Sequence, residues 1–276
     1  MKRTVLITGC SSGFGLATAR HFARHGWRVF ASMRNPDRDG IELRNEAAAA
    51  GWELHTPALD VTRDDQVAQV VSALGPLDVL VNNAGYFCVG PVEDTTPAEL
   101  QAQLDTNVLG ALRLCRAVLP AFRAAGRGRI INVSSLAALA VVPMLGPYHA
   151  SKMALQGLTE ALAFEVAPFG LHVSAVLPGP FSTQLTAKQV RVAASQAPGS
   201  VYKTDVDRFE SLNARVPKGN IESVMRAIYK AATVSRPKLR YAVGPLSLLA
   251  TYGYPVTPQW LYAFLVRKVF RLRARK

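Results

Sequence analysis

Cysteine is scarce in this chain. Its three residues, Cys10, Cys88 and Cys115, lie far apart and without metal-ligand spacing. That argues against a disulfide framework and fits reduced thiols of a cytoplasmic protein, each filling a small core position. Long apolar runs are also missing, so no segment reaches the length of a membrane span. The opening MKRTVLITG starts like a signal peptide, but its apolar part is short and glycines and polar residues follow at once. It reads as a buried first strand. The histidines form no ligand cluster, and neither a zinc-finger spacing nor an aromatic RNA-binding motif is present. Acidic residues are outnumbered, 19 against 32 basic, for a net charge of +13. Such an excess suits nucleic acid, an anionic membrane or anionic ligands. Its distribution argues against nucleic acid, because nearly half of it sits in the last ten residues, RKVFRLRARK, and the rest is scattered.

What is present is an alternation. With 276 residues, 49% of them hydrophobic, the chain suffices for one large α/β domain spanning 1–276. Short apolar runs at 4–8, 27–32, 52–60, 77–82, 128–135 and 171–179 read as strands. Helical patterns lie near 14–25, 38–50, 63–74, 97–124 and 147–166. Strands alternating with helices predict a parallel sheet covered on both faces. Thr95, Thr96 and Pro97 mark a helix start, and Pro147 opens the helix after residue 146. Residues 180–220 break the rhythm with Pro198, Gly199, Pro217 and Gly219, as a substrate lid would.

Four motifs sit at strand ends. TGCSSGFG follows the first strand, with Gly9, Gly13 and Gly15 framing Ser11, Ser12 and Phe14. Glycines there let backbone N–H groups approach a pyrophosphate at a helix N-terminus. After strand two, Met33 and Arg34 stand where NAD-selective sites often place an acid. Arg34 therefore favours NADP, with NAD the alternative and a solvated loop arginine the plain reading. Asp37 lies beyond Pro36 and belongs to the next helix. Asp60 and Val61 end strand three, where Asp60 either receives the adenine amino group or caps the helix starting near Thr62. Asn83, Ala84 and Gly85 end strand four, where ligands bind an open parallel sheet. The stretch GPYHASK places Tyr148 and Lys152 one helical turn apart. A neighbouring ammonium would lower the phenol's pKa, so the pair is either a proton-transfer site or a plain surface contact.

In this combination the sequence resembles the short-chain dehydrogenase/reductase family. The resemblance runs through TGCSSGFG, Asp60, NNAG, Asn107, Ser135, YHASK and LPGPFST, over roughly residues 3–185. Within the family, FASMRNP and RPKLRYAVG look most like the hydroxysteroid and retinol dehydrogenase branch. The resemblance implies a Rossmann-like doubly wound parallel sheet of about seven strands. It makes Tyr148 the general acid or base and gives Lys152 the nicotinamide ribose. Ser135 would hold the substrate oxygen, with Ser134 directed to the other face by strand alternation. Asn107 would organise a water-linked proton route to Lys152. Pro178 and Gly179 would shape the backbone beside the nicotinamide, and Thr183 would bind its amide or the phosphates. Phe181 is either pocket wall or core. The apolar stretches 85–90 and 140–146 suit a lipophilic alcohol or carbonyl substrate. His149 is expected to be a non-catalytic neighbour of Tyr148. Relatives imply a homodimer or homotetramer. A dinucleotide-binding scaffold without turnover is the competing class. The tail 258–276 either packs on the domain or makes peripheral membrane contact.

Overall fold

The computed structural model describes residues 2–181, 189–216 and 218–271. The chain runs β1 (Thr4–Ile7), α1 (Gly13–Arg24), β2 (Arg28–Ala31), α2 (Pro36–Asp39), α3 (Ile41–Ala50), β3 (Leu54–His55), α4 (Asp64–Ala73), β4 (Val79–Asn82) and β5 (Cys88–Val89). It continues with α5 (Pro97–Leu104), a π-helical turn (Asp105–Leu109), α6 (Gly110–Ala125), β6 (Gly128–Val133), α7 (Gly146–Val166) and β7 (Leu171–Pro178). After β8 (Val190–Arg191) come α8 (Lys203–Arg215), α9 (Ile221–Thr233), β9 (Arg240–Val243), α10 (Pro245–Gly253) and α11 (Gln259–Phe270).

Seven strands form one sheet in the order β3-β2-β1-β4-β6-β7-β9. Every neighbouring pair is parallel. Alternation along each strand feeds two separate cores. Val5 and Ile7 of β1 join Phe22 of α1 and Ile228 of α9 on one face. Leu6, between them, joins Leu80, Leu114 and Phe122 on the other. Burying each such side chain stabilises the fold by roughly 1.5–3 kcal/mol. Both faces are therefore apolar, which is why the strands read as continuous runs. The strand order reverses between β1 and β4, which opens a crevice at their carboxyl ends.

Several elements depart from the sequence expectation. The third strand spans two residues rather than 52–60. Pro57 has no N–H to continue a ladder, and pairing resumes only as an isolated Met33–Ala58 bridge. The helix expected over 97–124 begins as read, with Thr96 in a reciprocal capping box with Glu99 and Pro97 in the first turn. It is then interrupted at 105–109, where the Gly110 N–H reaches the Asp105 carbonyl five residues back. The helix expected over 38–50 is two, α2 and α3, meeting at Gly40. Segment 180–220 is less irregular than its composition suggests. Its β8 pairs with β5, its Phe181 bridges Gly219, and it carries the thirteen-residue α8. Thr183 and Pro217 lie outside the described residues. β9 supplies the seventh strand from within RPKLRYAVG.

Candidate active site

The glycine turn is built by hydrogen bonds from two strands. Gly9 and Gly13 have φ of +71° and +59°, which L side chains resist. A Cβ on Gly9 would stand 2.8 Å from Ala84 Cα. Thr8 Oγ1 accepts the N–H groups of Asn83 (3.0 Å) and Ala84 (2.9 Å). Asn83 Nδ2 returns bonds to the carbonyls of Thr8 (2.9 Å) and Gly9 (3.1 Å). The ends of β1 and β4 are thus locked together under the turn. Ser12 caps α1 without a side-chain hydrogen bond, so no hydroxyl covers the helix's first N–H groups. Turn, small residues and open helix end match a phosphate cradle. Gly15 is buried and does not line the cavity; it lets α1 lie against Gly9.

Around this turn lies a cavity of about 1060 Å³. It is lined by Ser11, Ser12, Phe14, Arg34, Asp60, Val61, Asn83, Ala84 and Gly85 on one side. Ser135, Tyr148, Lys152, Pro178, Gly179 and Phe181 line it on the other. The Asp60 carboxylate accepts the backbone N–H and the hydroxyl of Thr62, shaping the turn before α4 rather than capping that helix directly. Phe181 is both core and wall: it is buried and stands edge-on to Phe14 with centroids 5.4 Å apart. Apolar lining comes from Phe87, Val142 and Leu145, as the two apolar stretches predict.

Tyr148 and Lys152 lie in the first two turns of α7, 7% and 6% exposed. Lys152 Nζ donates to the Val133 carbonyl at 3.0 Å and stands 5.8 Å from the Tyr148 ring centre. Phe87 covers that ring edge-on at 4.7 Å. Burial pulls the Lys152 ammonium down to about 8. Burial also raises the Tyr148 phenol, and a hydrogen bond with Ser135 works against that rise. Lowering of the phenol by Lys152, expected from the sequence, is not what this environment gives. Both groups are desolvated together, and desolvation wins.

The two serines after β6 both line the cavity, so strand alternation does not separate them. β6 ends at Val133, and alternation ends with it. Hydrogen bonding separates them instead. Ser135 meets Tyr148, whereas the buried Ser134 Oγ has no partner among the described residues. Asn107 is not at the cavity. Its Oδ1 accepts the Tyr86 N–H at 3.0 Å, and its Nδ2 donates to the Tyr86 carbonyl and to Ser151 Oγ, both at 3.1 Å. Its side chain acts on the 85–90 wall and on Ser151, not on Lys152 directly.

These features coincide with those of known proteins. The family model for short chain dehydrogenase matches residues 3–193. Human retinol dehydrogenase 8 is 37% identical over 265 residues, covering 90% of this chain and 85% of its own. Human 17-beta-hydroxysteroid dehydrogenase type 1 is 34% identical, covering 87% and 77%. A short-chain dehydrogenase structure from Streptomyces avermitilis superposes with a TM-score of 0.82 at 34% identity, covering 98% of each chain. The chain belongs to the short-chain dehydrogenase/reductase family. A metagenomic short-chain oxidoreductase in complex with NADP (TM-score 0.70, 30% identity, 88% and 97% covered) shares the fold. So does a family member from Burkholderia phymatum in complex with NAD (0.76, 26%, 87% and 88%).

The dehydrogenase holds site residues that the motifs did not announce. Thr8, first letter of its glycine motif, is the anchor of the turn. Arg38 and Asp39 also line the cavity near Arg34, with Arg38 Nε 2.8 Å from Asp39 Oδ1. His149 is buried, bonded through Nδ1 to the Ala137 carbonyl (2.8 Å) and through Nε2 to the Val142 N–H (3.0 Å). A proton on Nδ1 satisfies both, and burial lowers the ring's pKa, so a neutral imidazole holds the 140–146 wall. No sequence signal separates such a histidine from a surface one. The tail helix α11 meets α8, with Phe270 stacked on Phe209 at 6.3 Å.

Proposed function

We propose that this dehydrogenase transfers hydride between NADP(H) and a lipophilic alcohol or carbonyl compound. The observation that carries the reading is the shared wall of Ser135, Tyr148 and Lys152 beside apolar Phe87, Val142 and Leu145. The nicotinamide, when bound, donates or accepts the hydride. Tyr148 gives its hydroxyl proton to the carbonyl oxygen in reduction and takes it back in oxidation. Ser135 holds that oxygen. Lys152 carries a positive charge into a dry site and binds the ribose hydroxyls. Asn107 acts as a positioning residue through Ser151 and the Tyr86 backbone. The Gly9–Gly15 turn receives the pyrophosphate, Asp60 and Val61 flank the adenine, Asn83 to Gly85 support the cofactor's ribose, and Pro178 and Gly179 flank the nicotinamide. Thr183, the remaining ligand in this reading, lies outside the described residues. Arg34 beside the cavity favours the 2′-phosphate of NADP over NAD. Hydroxysteroids, retinoids and comparable ketones fit the apolar lining, and the names of two relatives support that class.

Residues 180–220 serve as the substrate lid within a single domain, an assignment supported by α8 residues Phe209 and Leu212 at the cavity. A dimer or tetramer follows from the family. It is supported by apolar Leu112, Met153 and Phe164 exposed on α6 and α7. Peripheral contact of the basic tail with an anionic membrane completes the reading. Tyr148→Phe removes one hydroxyl and keeps the ring. The expected result is a loss of turnover of about a thousandfold or more with nucleotide affinity within about twofold of the unmodified protein. Substantial activity of this variant at neutral pH would overturn the acid/base assignment.

A further inference from the structure

The C-terminal segment leaves an unusual surface. Among the described residues, nine of the nineteen exposed large apolar side chains belong to residues 246–269. α11 divides into two stripes of four-residue spacing. Tyr262, Val266 and Phe270 are half-buried, with Tyr262 donating to the Val141 carbonyl and Phe270 stacked on Phe209. Trp260, Phe264 and Lys268 form the opposite stripe, with Trp260 72% and Phe264 56% exposed. α10 repeats the arrangement. Ser247 and Ala250 face inward, while Leu249 and Tyr252 are 66% and 72% exposed. The helices are joined through an edge contact between Tyr254 and Tyr262. Leu246 of α10 and Val269 of α11 are exposed and also line the cavity. Both helices therefore reach the cavity mouth.

Charge selects the occupant. From Ser223 to Lys276 the sequence has no acidic residue and eleven lysines and arginines. A protein partner of ordinary composition does not demand such one-sided charge; an anionic lipid surface does. α11 is twelve residues long, far too short to span. Aromatic and aliphatic side chains beside clustered arginine and lysine are the pattern of a helix lying in the membrane interface.

We propose that the outer faces of α10 and α11 dock on an anionic bilayer and set the cavity mouth against it, so that substrate enters from the lipid phase. The substrate part rests on the lipophilic-site reading above; the docking part does not. Phosphatidylserine–phosphatidylcholine vesicles at low salt should co-sediment the full chain. Phosphatidylcholine vesicles should bind it at least about tenfold more weakly, and salt should release it. Trp260 is the exposed tryptophan of these helices, so its emission should shift to the blue on binding. The doubly substituted Trp260→Glu, Phe264→Glu protein should lose about tenfold or more in vesicle affinity while keeping its thermal transition. A milder Trp260→Ala, Phe264→Ala pair covers the case in which the glutamates disturb folding. Neither residue lines the cavity, so turnover of a short, water-soluble ketone should be unchanged, while turnover of a long-chain ketone held in vesicles should fall with binding. If the full chain stays in the supernatant with anionic vesicles, or the variants sediment equally well, docking is overturned. The same holds if the substitutions instead change the oligomeric mass in lipid-free light scattering, because a second copy then covers the face. Sedimentation and fluorescence need no turnover, so failed docking leaves hydride transfer standing. Docking with no activity on any lipophilic ketone would instead remove the hydride-transfer reading and its substrate route.

Discussion

Lys152→Met should make the unliganded protein more stable at pH 7 and progressively less advantaged as the pH rises. The folded chain holds Lys152 at about 8, against 10.5 for the free side chain. Below about pH 8 the lysine is protonated in both the folded and the unfolded states. The folded state then bears the full cost of a buried ammonium, about 3 kcal/mol at pH 7. Between 8 and 10.5 the unfolded chain holds the proton that the folded one has released. Stability therefore rises with pH across that window. From pH 7 to pH 9.5 the unmodified protein should gain about 2 kcal/mol relative to Lys152→Met. Methionine keeps the apolar stem but loses the 3.0 Å bond to the Val133 carbonyl, which offsets part of the absolute gain. The decisive quantity is accordingly the change of the difference with pH. Urea unfolding of both proteins at the two pH values measures it. A stability difference that stays constant from pH 7 to pH 9.5 would refute the claim that Lys152 sits desolvated without a compensating anion. The variant should also lose nucleotide binding, because the proposed cofactor pose sets this charge against the ribose.

Arg34→Ala should weaken NADPH by about tenfold and leave NADH within about twofold, as read by fluorescence titration. Equal affinity of the unmodified protein for both nucleotides would remove the selector role. Thr8→Val keeps the shape but strips the acceptor from two N–H groups of 83 and 84, and should cost about 2 kcal/mol in urea unfolding. A midpoint unchanged by that substitution would show that water replaces the hydroxyl and that the turn is not anchored as described.

Much of the fold was legible because its signals are local. β1 is buried on both sides, so Val5, Leu6 and Ile7 are all apolar and the run stands out without alternation. Thr96 and Pro97 start a helix by rules that need four neighbouring residues only. The misread elements depend on distant partners. β3 is short because its ladder is broken at Pro57, yet Ala58 still pairs with Met33. The π turn at 105–109 depends on tertiary contacts of the same kind. Asn107, within it, makes its three bonds to Tyr86 and Ser151, far along the chain. The 180–220 segment looked irregular because β8 pairs with two residues about a hundred positions away.

At the site, residue types were readable and their electrostatics were not. The spacing of Tyr148 and Lys152 follows from one helical turn, and their shared wall with Ser135 is as the motif implies. The sign of the tyrosine's shift is another matter, because it depends on how much water remains. A charge beside an exposed phenol lowers its pKa, whereas this pair is buried, with Phe87 edge-on to the tyrosine ring. The lysine bears a desolvation cost of its own, which pulls it down to about 8. The resting pair is therefore a neutral phenol beside a destabilised ammonium. Both shifts follow from burial, a property of the folded chain that no spacing of letters encodes.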